Sequence, residues 1–362
     1  MARREVAVAI VGVGNCASAL VQGVAWCRER DGDCPGVGFA DFGGIACRDI
    51  RFVAAYDVDK RKVGRPLEEA IFQEPNCARR FHVPTKSSGP LVEMSPILDG
   101  IAPHLADYPD DRAFRPASAP PVDITESLRI SGAEVLICYL PVGSEQAVRH
   151  YADCCLQAGV AFINCVPVFI ASDPQWREAF RAKGLPLIGD DIKSQLGATI
   201  VHRALAHLFE ERGILVRRTY QLNVGGNTDF LNMLARDRLV SKKKSKTESV
   251  RSQLARVLPD TDIHIGPSDY VPWMEDNKVC FLRFEGDGFG GLPIELELRL
   301  SVQDSPNSAG VVIDLIRGAA LARDRGMGGE IPALCAYYMK SPPEQLPDAE
   351  ARSALMAFIG GQ

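Results

Sequence analysis

The six apolar residues Val6 to Val11 run straight into Gly12-Val13-Gly14-Asn15-Cys16-Ala17. A short apolar run that stops in glycines is a buried strand meeting a tight turn. The small Ala17 and the helical pattern of Ser18 to Arg28 complete a strand–turn–helix unit. Glycines at 12 and 14 let the main chain approach a ligand closely, and the helix N-terminus beyond them offers free N–H groups to phosphate. The unit predicts a dinucleotide pyrophosphate held at Gly12, Gly14 and Asn15. The alternative is an ordinary strand-to-helix turn made of small residues.

The rest of the chain has to be large enough to surround such a site. With 362 residues, 46% of them hydrophobic, it can bury one large core and has room for two domains. Lys and Arg number 41 against 46 Asp and Glu, a net charge of −5. That balance gives no global attraction to nucleic acid or to an anionic membrane, so an anionic ligand needs a local cluster of cations. The apolar start is too short and wrongly flanked for a signal peptide or a membrane span, and a cytoplasmic protein is expected. The 11 cysteines include no C-x-x-C pair, and Cys16, Cys138, Cys165 and Cys280 sit in apolar runs. They read as reduced, buried thiols; Cys154-Cys155 reads as core or surface thiols, with a redox role as the alternative. The six histidines are scattered, and no metal site is expected.

Strand-like runs recur at Val6 to Val11, Phe52 to Tyr56, Val135 to Leu140, Ala161 to Val166 and Leu185 to Ile188, with helical segments such as Ser144 to Ala158 and Pro174 to Ala182 between them. That alternation predicts a parallel α/β sheet with helices on both faces. From Arg217 the pattern becomes alternating strands at Tyr220 to Val224, Val279 to Phe284 and Ile294 to Val302. In the last of these Ile294, Leu296, Leu298 and Leu300 share one face. Helices return from Ser308 to Arg325 and around Ala349 to Ile359, so the tail is expected to pack back on the first domain. Residues 29–50 and 84–122 read as surface insertions. Asp57, at the end of the second strand, lies farther beyond Gly14 than the usual spacing of about 20. It either contacts the adenosine ribose or caps the next turn with Asp59.

Chemistry gathers in three later clusters. Gly189-Asp190-Asp191-Ile192-Lys193-Ser194 closes a strand and opens a helix over Gln195 to Glu211, with Ser194 as candidate N-cap. It can organise phosphate and hydroxyls, or it is a capped helix behind a solvated acidic loop. Asn223-Val224-Gly225-Gly226-Asn227-Thr228-Asp229 precedes Ser241-Lys242-Lys243-Lys244-Ser245-Lys246. On a helix Lys242 and Lys246 share a face, so they repel unless an anion lies between them; by itself a basic run is commonly a solvated face.

The stretches VGVGNCAS, YLPVGSE, GDDIKSQLGAT, LNVGGNTDFLNM, SKKKSK, HIGPSDYV, DSPNSAG and YYMKSPPEQ span nearly the whole chain. Together they resemble the short prokaryotic form of the myo-inositol-1-phosphate synthase (inositol-3-phosphate synthase) family. The resemblance implies a Rossmann-type, doubly wound domain from 1–195 and 308–362, with an inserted α+β catalytic and tetramerisation domain from 196–307. It implies an isomerase that turns glucose 6-phosphate into an inositol phosphate with a recycled NAD. In that chemistry C5 is oxidised, C6 loses a proton, the enolate closes on the C1 aldehyde, and C5 is reduced. Alkoxide, enolate and aldolate oxygens then develop negative charge beside a phosphate dianion, which clustered ammonium groups stabilise; a lysine among cations also loses its proton more readily.

By the same resemblance, Lys242 transfers a proton and stabilises the C5 oxyanion in contact with the cofactor, and Lys340 polarises the C5 oxygen. Lys246 and Lys278 meet phosphate and developing oxyanions. Asp191, Asp229 and Asp304 orient lysines or bind nicotinamide and sugar hydroxyls, while Ser194, Ser131 and Tyr151 fall at cofactor-lining positions. The chain departs from its relatives at Val63-Gly64-Arg65-Pro66, where an aspartate is replaced by a proline that supplies neither N–H nor carboxylate. A homotetramer is implied, with the Ile294 to Val302 strand as interface, and an activating cation is left open. An ordinary NAD-dependent sugar-phosphate dehydrogenase and a non-catalytic dinucleotide sensor are the competing readings.

Overall fold

In a computed structural model, which describes residues 4–30, 34–85, 89–235, 238, 248–254, 258–266 and 269–361, the first apolar run forms strand β1 (Val6–Val11). There follow β2 (Asp41–Phe42), β3 (Ile45–Ala46), β4 (Ile50–Asp57), β5 (Val92–Met94), β6 (Val135–Cys138), β7 (Ala161–Asn164) and β8 (Pro186–Ile188). The later strands are β9 (Leu215–Gly225), β10 (Ile263–Ile265), β11 (Asp269–Tyr270), β12 (Asn277–Asp287), β13 (Pro293–Gln303) and β14 (Gly329–Glu330).

Seven strands make a parallel sheet in the order β14-β8-β7-β6-β1-β4-β5. A parallel sheet needs cover on both faces, and β1 shows it directly. Val8 and Ile10 join one core with Leu20 and Val24 of the helix Asn15–Glu29 and Val312 and Ile316 of the helix Asp304–Asp324. Ala9 and Val11 join the other core with Leu128, Val148, Tyr151 and Phe180 from the helices Ile124–Ser131, Glu145–Ala158 and Pro174–Ala182. Local chemistry sets the ends of these helices. Asp123 and Asp173 cap N-termini through their carboxylates, and Gly132 and Gly159 end helices in the left-handed conformation. The tail returns to this sheet as expected, since β14 extends it beside β8 and the helix Asp348–Gly360 adds Leu355 and Phe358 to the first core.

The second sheet has the path β10-β9-β12-β13, with β11 also paired to β9. Its central long strand β12 runs antiparallel to both β9 and β13, and the period of two in these strands sorts the side chains. Cys280, Leu282 and Phe284 of β12 face the helix Ala198–Glu211, and Leu300, Leu298 and Leu296 of β13 stand directly opposite them. The apolar stripe of β13 is therefore half-covered by the chain's own helix. No described helix is long and apolar enough to cross a membrane.

Five expectations need correction. Residues 84–122 are more than a surface insertion: β5 pairs with β4, and Ala102, Leu105 and Ala113 are buried with Leu231. Residues 29–50 are likewise anchored, because Phe42, Ile45 and Cys47 enter the first core and the fully buried Arg317 donates to the carbonyls of Phe39, Ala40 and Ile45. The thiols are not all reduced: Cys34 is bonded to Cys27, their Cα atoms 5.1 Å apart. Finally, Ser194 is not a helix N-cap, since the helix begins at Ala198 behind Gly197. The helix expected from Ser308 starts earlier, at Asp304. Pro306 is tolerated there because first-turn N–H groups lack helical partners anyway.

Candidate active site

An open α/β sheet presents ligands at the carboxyl ends of its strands, and a cleft lies there. Its walls take Gly14 and Asn15 from beyond β1, Tyr139 from beyond β6, Cys165 from beyond β7 and Asp191 and Ser194 from beyond β8. The second sheet closes the opposite side with Asn227, Asp229 and Lys278, and the tail contributes Asp304 and Lys340. The fold thus brings Gly14, Asn15, Asp191, Ser194, Asp229, Lys278, Asp304 and Lys340 into one cleft. Lys242 and Lys246 lie outside the described residues.

The glycine wall is made of main chain. Gly12 has φ +87°, and a Cβ there would stand 2.7 Å from the Tyr139 carbonyl oxygen, so only glycine fits. At Gly14 a Cβ would meet nothing within 4 Å, which leaves the backbone open towards the cleft. The helix starting at Asn15 has no side-chain N-cap, so its first N–H groups stay available to an anion. Asp57 shapes the turn from below: Oδ2 accepts from the Val13 N–H at 2.7 Å, and Oδ1 accepts from Val58 and Asp59 N–H at 2.7 and 2.8 Å. Asp59 is occupied separately by Arg61 and the Arg115 N–H. Sequence reasoning missed Lys62, which is fully buried and donates to the Val13 carbonyl at 2.8 Å and to Asn76 Oδ1 at 2.9 Å. Asn15 ties the walls together, accepting from Cys77 and Ala78 N–H and donating to Thr228 Oγ1.

The facing wall is made of ion pairs. Lys340 Nζ stands 2.7 Å from Asp191 Oδ1, and the Lys340 N–H donates to the Asp191 carbonyl, also at 2.7 Å. Asp191 has φ +60°, a region a non-glycine residue occupies only when its surroundings hold it there. The neighbouring Asp190, unassigned by sequence, supplies that hold. It is fully buried and accepts from the N–H groups of Ile170, Ala171 and Ser172 and from Asn164 Nδ2, and burial pushes its carboxyl up to about 6.

Lys278 Nζ lies 3.1 Å from Asp304 Oδ1, with the Phe230 ring 5.8 Å away. Burial acts to lower the Lys278 pKa, but the Asp304 carboxylate outweighs it and the ammonium form is favoured. The expectation that cations would ease proton loss is therefore reversed at Lys278, since the partner the fold supplies is a carboxylate. Asp276, two residues earlier on the same register, is a second missed residue. It is buried, accepts from Ser305 Oγ at 2.7 Å and Asn227 Nδ2 at 3.1 Å, and burial followed by Asp304 pushes it up to about 7. Asn227 in turn accepts from the Asp229 and Phe230 N–H groups as an N-cap, a role readable from Asn-Thr-Asp in sequence. Asp276 thus joins the segments that carry Asp229, Lys278 and Asp304.

Ser131 and Tyr151 do not line this cleft. Tyr151 belongs to the core on the far face of the sheet, its ring 6.2 Å from that of Tyr56, and the Ser131 hydroxyl donates to the Leu128 carbonyl of its own helix. Both sit on helices that cover the sheet and not on the loops leaving its strand ends. Pro66 precedes the short helix Leu67–Ala70 and offers the adenosine side no side-chain polar group.

The family model described as myo-inositol-1-phosphate synthase matches residues 197–305, from the start of the helix facing the second sheet to the first turn of the tail helix. An inositol-3-phosphate synthase of Mycolicibacterium smegmatis is 53% identical over 364 residues, covering 99% of this chain and 98% of that one. The crystal structure of Ari2 matches at TM-score 0.78 and 38% identity, over 99% of this chain and 100% of that one. That of a myo-inositol-1-phosphate synthase-related protein from Thermotoga maritima matches at TM-score 0.82 and 25% identity, over 99% of each.

Proposed function

The chain belongs to the myo-inositol-1-phosphate synthase family, and from that premise we propose that it is an inositol-3-phosphate synthase. It converts D-glucose 6-phosphate to 1L-myo-inositol 1-phosphate (1D-myo-inositol 3-phosphate) by oxidation, enolisation, intramolecular aldol closure and reduction, the entry to inositol and inositol phospholipids. The observation that carries this reading is the meeting of an uncovered glycine turn with two lysine–carboxylate pairs in one cleft.

The open backbone at Gly14 and the uncapped helix behind it fit a dinucleotide pyrophosphate. Gly12, Gly14, Asn15 and Asp57 would hold the cofactor, with Ser194, Asp229 and Lys242 towards its reactive end. NAD bound there supplies a hydride acceptor that returns the hydride within the same cycle. The chain's own work is electrostatic and protonic. Lys340, held in place by Asp191, polarises the C5 oxygen; Lys278, kept an ammonium by Asp304, meets phosphate and oxyanion charge together with Lys246; Lys242 moves the proton.

We assign the cofactor lobe to 1–195 and 308–362 and the catalytic and oligomerisation lobe to 196–307. A cytoplasmic homotetramer is the assembly we propose, with β13 at an interface. Supporting it, Ile294 on this edge strand and the paired Leu222 and Phe281 on the sheet's other face are exposed. Sedimentation that shows only monomer at micromolar concentration would refute that part.

The test is to incubate the protein with glucose 6-phosphate and substoichiometric NAD, with and without added cations, and to follow products by NMR. A non-reducing inositol phosphate without net NADH is expected. NADH accumulating with an oxidised sugar would establish the dehydrogenase reading instead.

A further inference from the structure

Away from the cleft, the fold gathers three cysteines that no spacing rule connects. Cys27 lies near the end of the glycine-loop helix, Cys34 in the loop beyond it, and Cys47 opens the turn Cys47–Asp49 that leads into β4. Their sulfur atoms all lie within 4.8 Å of one another; Cys27 and Cys47 are buried and Cys34 is half-buried. A disulfide uses only the Cys27 and Cys34 sulfurs, which leaves Cys47 as a free third thiol against the bridge. Once the bridge is opened, three sulfurs gathered this closely suit a different chemistry, because metal–sulfur bonds of about 2.3 Å around one ion place its sulfurs roughly 4 Å apart.

The walls around the cluster are held in place. Arg28 is fixed beside the turn by the carbonyls of Arg48 and Ile50, and Arg317 is fixed by Asp314 and the carbonyls of residues 39 to 45. The two guanidiniums thus fix the segments on either side of the three cysteines.

We propose that Cys27, Cys34 and Cys47 bind one thiophilic d10 cation, Zn2+ or Cu+, when the Cys27–Cys34 bridge is reduced, and release it when a low-molecular-weight disulfide takes the two electrons and re-forms the bridge, being itself reduced to two thiols. Two low-molecular-weight thiols reduce the bridge: the protein S–S bond breaks, one small-molecule disulfide forms, and two protein thiols result. Metal binding then forms three metal–sulfur bonds and releases three protons to solvent; Zn2+ completes its shell with water, whereas Cu+ is satisfied by three soft ligands. The bound ion ties the far end of the glycine-loop helix to both ends of the 34–47 loop. That loop reaches the cleft rim, where the Gly36 carbonyl accepts from Gln195, the neighbour of Ser194.

The full chain, reduced with a small thiol and freed of it, is titrated separately with Zn2+ and with Cu+ and dialysed against a weak chelator. Metal is counted by elemental mass spectrometry, and thiols left reactive to iodoacetamide are mapped by peptide mass spectrometry. The site predicts about one equivalent of one of these ions, with Cys27, Cys34 and Cys47 protected together and the half-buried Cys77 outside the cluster still labelled. Cys47→Ser should lower affinity by more than the roughly 10–100-fold typical of losing a mere outer-shell partner. The oxidised chain should bind nothing until a thiol is added. Retention of neither ion by the reduced chain, equal binding by Cys47→Ser, or protection that spares these three cysteines would overturn the proposal. The difference between the wild-type maps with and without bound metal, each read also after partial denaturation, decides the matter even where the variant fails to fold.

Discussion

The glycine-loop wall of the cleft presents main-chain N–H groups and no charged side chain, whereas the wall across from it presents two lysine–carboxylate pairs drawn from four separate segments. The first wall is local. Its conformation follows from Gly12, Gly14 and a helix start within one strand–turn–helix unit, steadied by Asp57 and Lys62 beneath it. The second is assembled only when β12, the start of the tail helix, the segment after β8 and the segment around Lys340 meet. The difference teaches that binding a dinucleotide can be encoded by shape alone, while stabilising a developing anion requires cations held in place by partners far away in sequence.

If the charged wall carries the chemistry, the largest effect belongs to its lysines. Lys278→Met or Lys340→Met should lower turnover by about 10³-fold or more while leaving the fold and NAD affinity near normal. Near-normal turnover in both variants would erase the distinction between the walls. Removing a carboxylate partner is the next test. Asp304→Asn should cost about 10–100-fold in kcat and move the alkaline limb of the pH–rate profile to lower pH. The sign follows from Lys278: burial disfavours its ammonium and Asp304 overrides burial, so without Asp304 the proton is lost more readily. A profile that keeps its shape would mean Lys278 does not titrate in turnover.

How far each wall was readable follows from this same contrast. The strands read in sequence as Val6 to Val11, Ala161 to Val166 and Ile294 to Val302 differ from those observed by no more than two residues at either end, because their periodicity is local. Lys278 and Lys340 show nothing locally that separates them from surface lysines, and only the resemblance singled them out. Asp190 and Asp276 act by burial and by hydrogen bonds to other segments, which no local pattern reports. β5 escaped notice because three residues among prolines and serines are too short a run to show a period. The Cys27, Cys34 and Cys47 cluster escaped notice because a turn and a loop, not a spacing motif, bring it together.

Two smaller effects sharpen the comparison from the side of shape and stability. Gly12→Ala should destabilise the chain by about 1–3 kcal/mol, since the new Cβ meets the Tyr139 carbonyl at a backbone angle that only glycine adopts freely. It should weaken NAD binding more than it slows saturated turnover. Smallest is a background term remote from both walls. His202 is fully buried against Thr219 and Gln221, and burial lowers its pKa to about 4. The unfolded chain takes up that proton as pH falls through about 6.5 and the folded chain does not. His202 therefore costs stability progressively between about pH 6.5 and 4, by at most about 3 kcal/mol. His202→Gln should remove that slope in a comparison of urea midpoints at pH 7 and 4.5; parallel curves for the two proteins would exclude it.

The central claim is that the two walls do separable work, and the most direct measurement takes the NAD dissociation constant and the rate of inositol phosphate formation on the same preparations of wild type, Gly12→Ala and Lys278→Met. The account predicts that Lys278→Met keeps its NAD Kd and loses turnover, while Gly12→Ala loses NAD affinity and recovers turnover as NAD is raised. Kd and turnover falling together in both variants would contradict it, since the cleft would then act as a single unit.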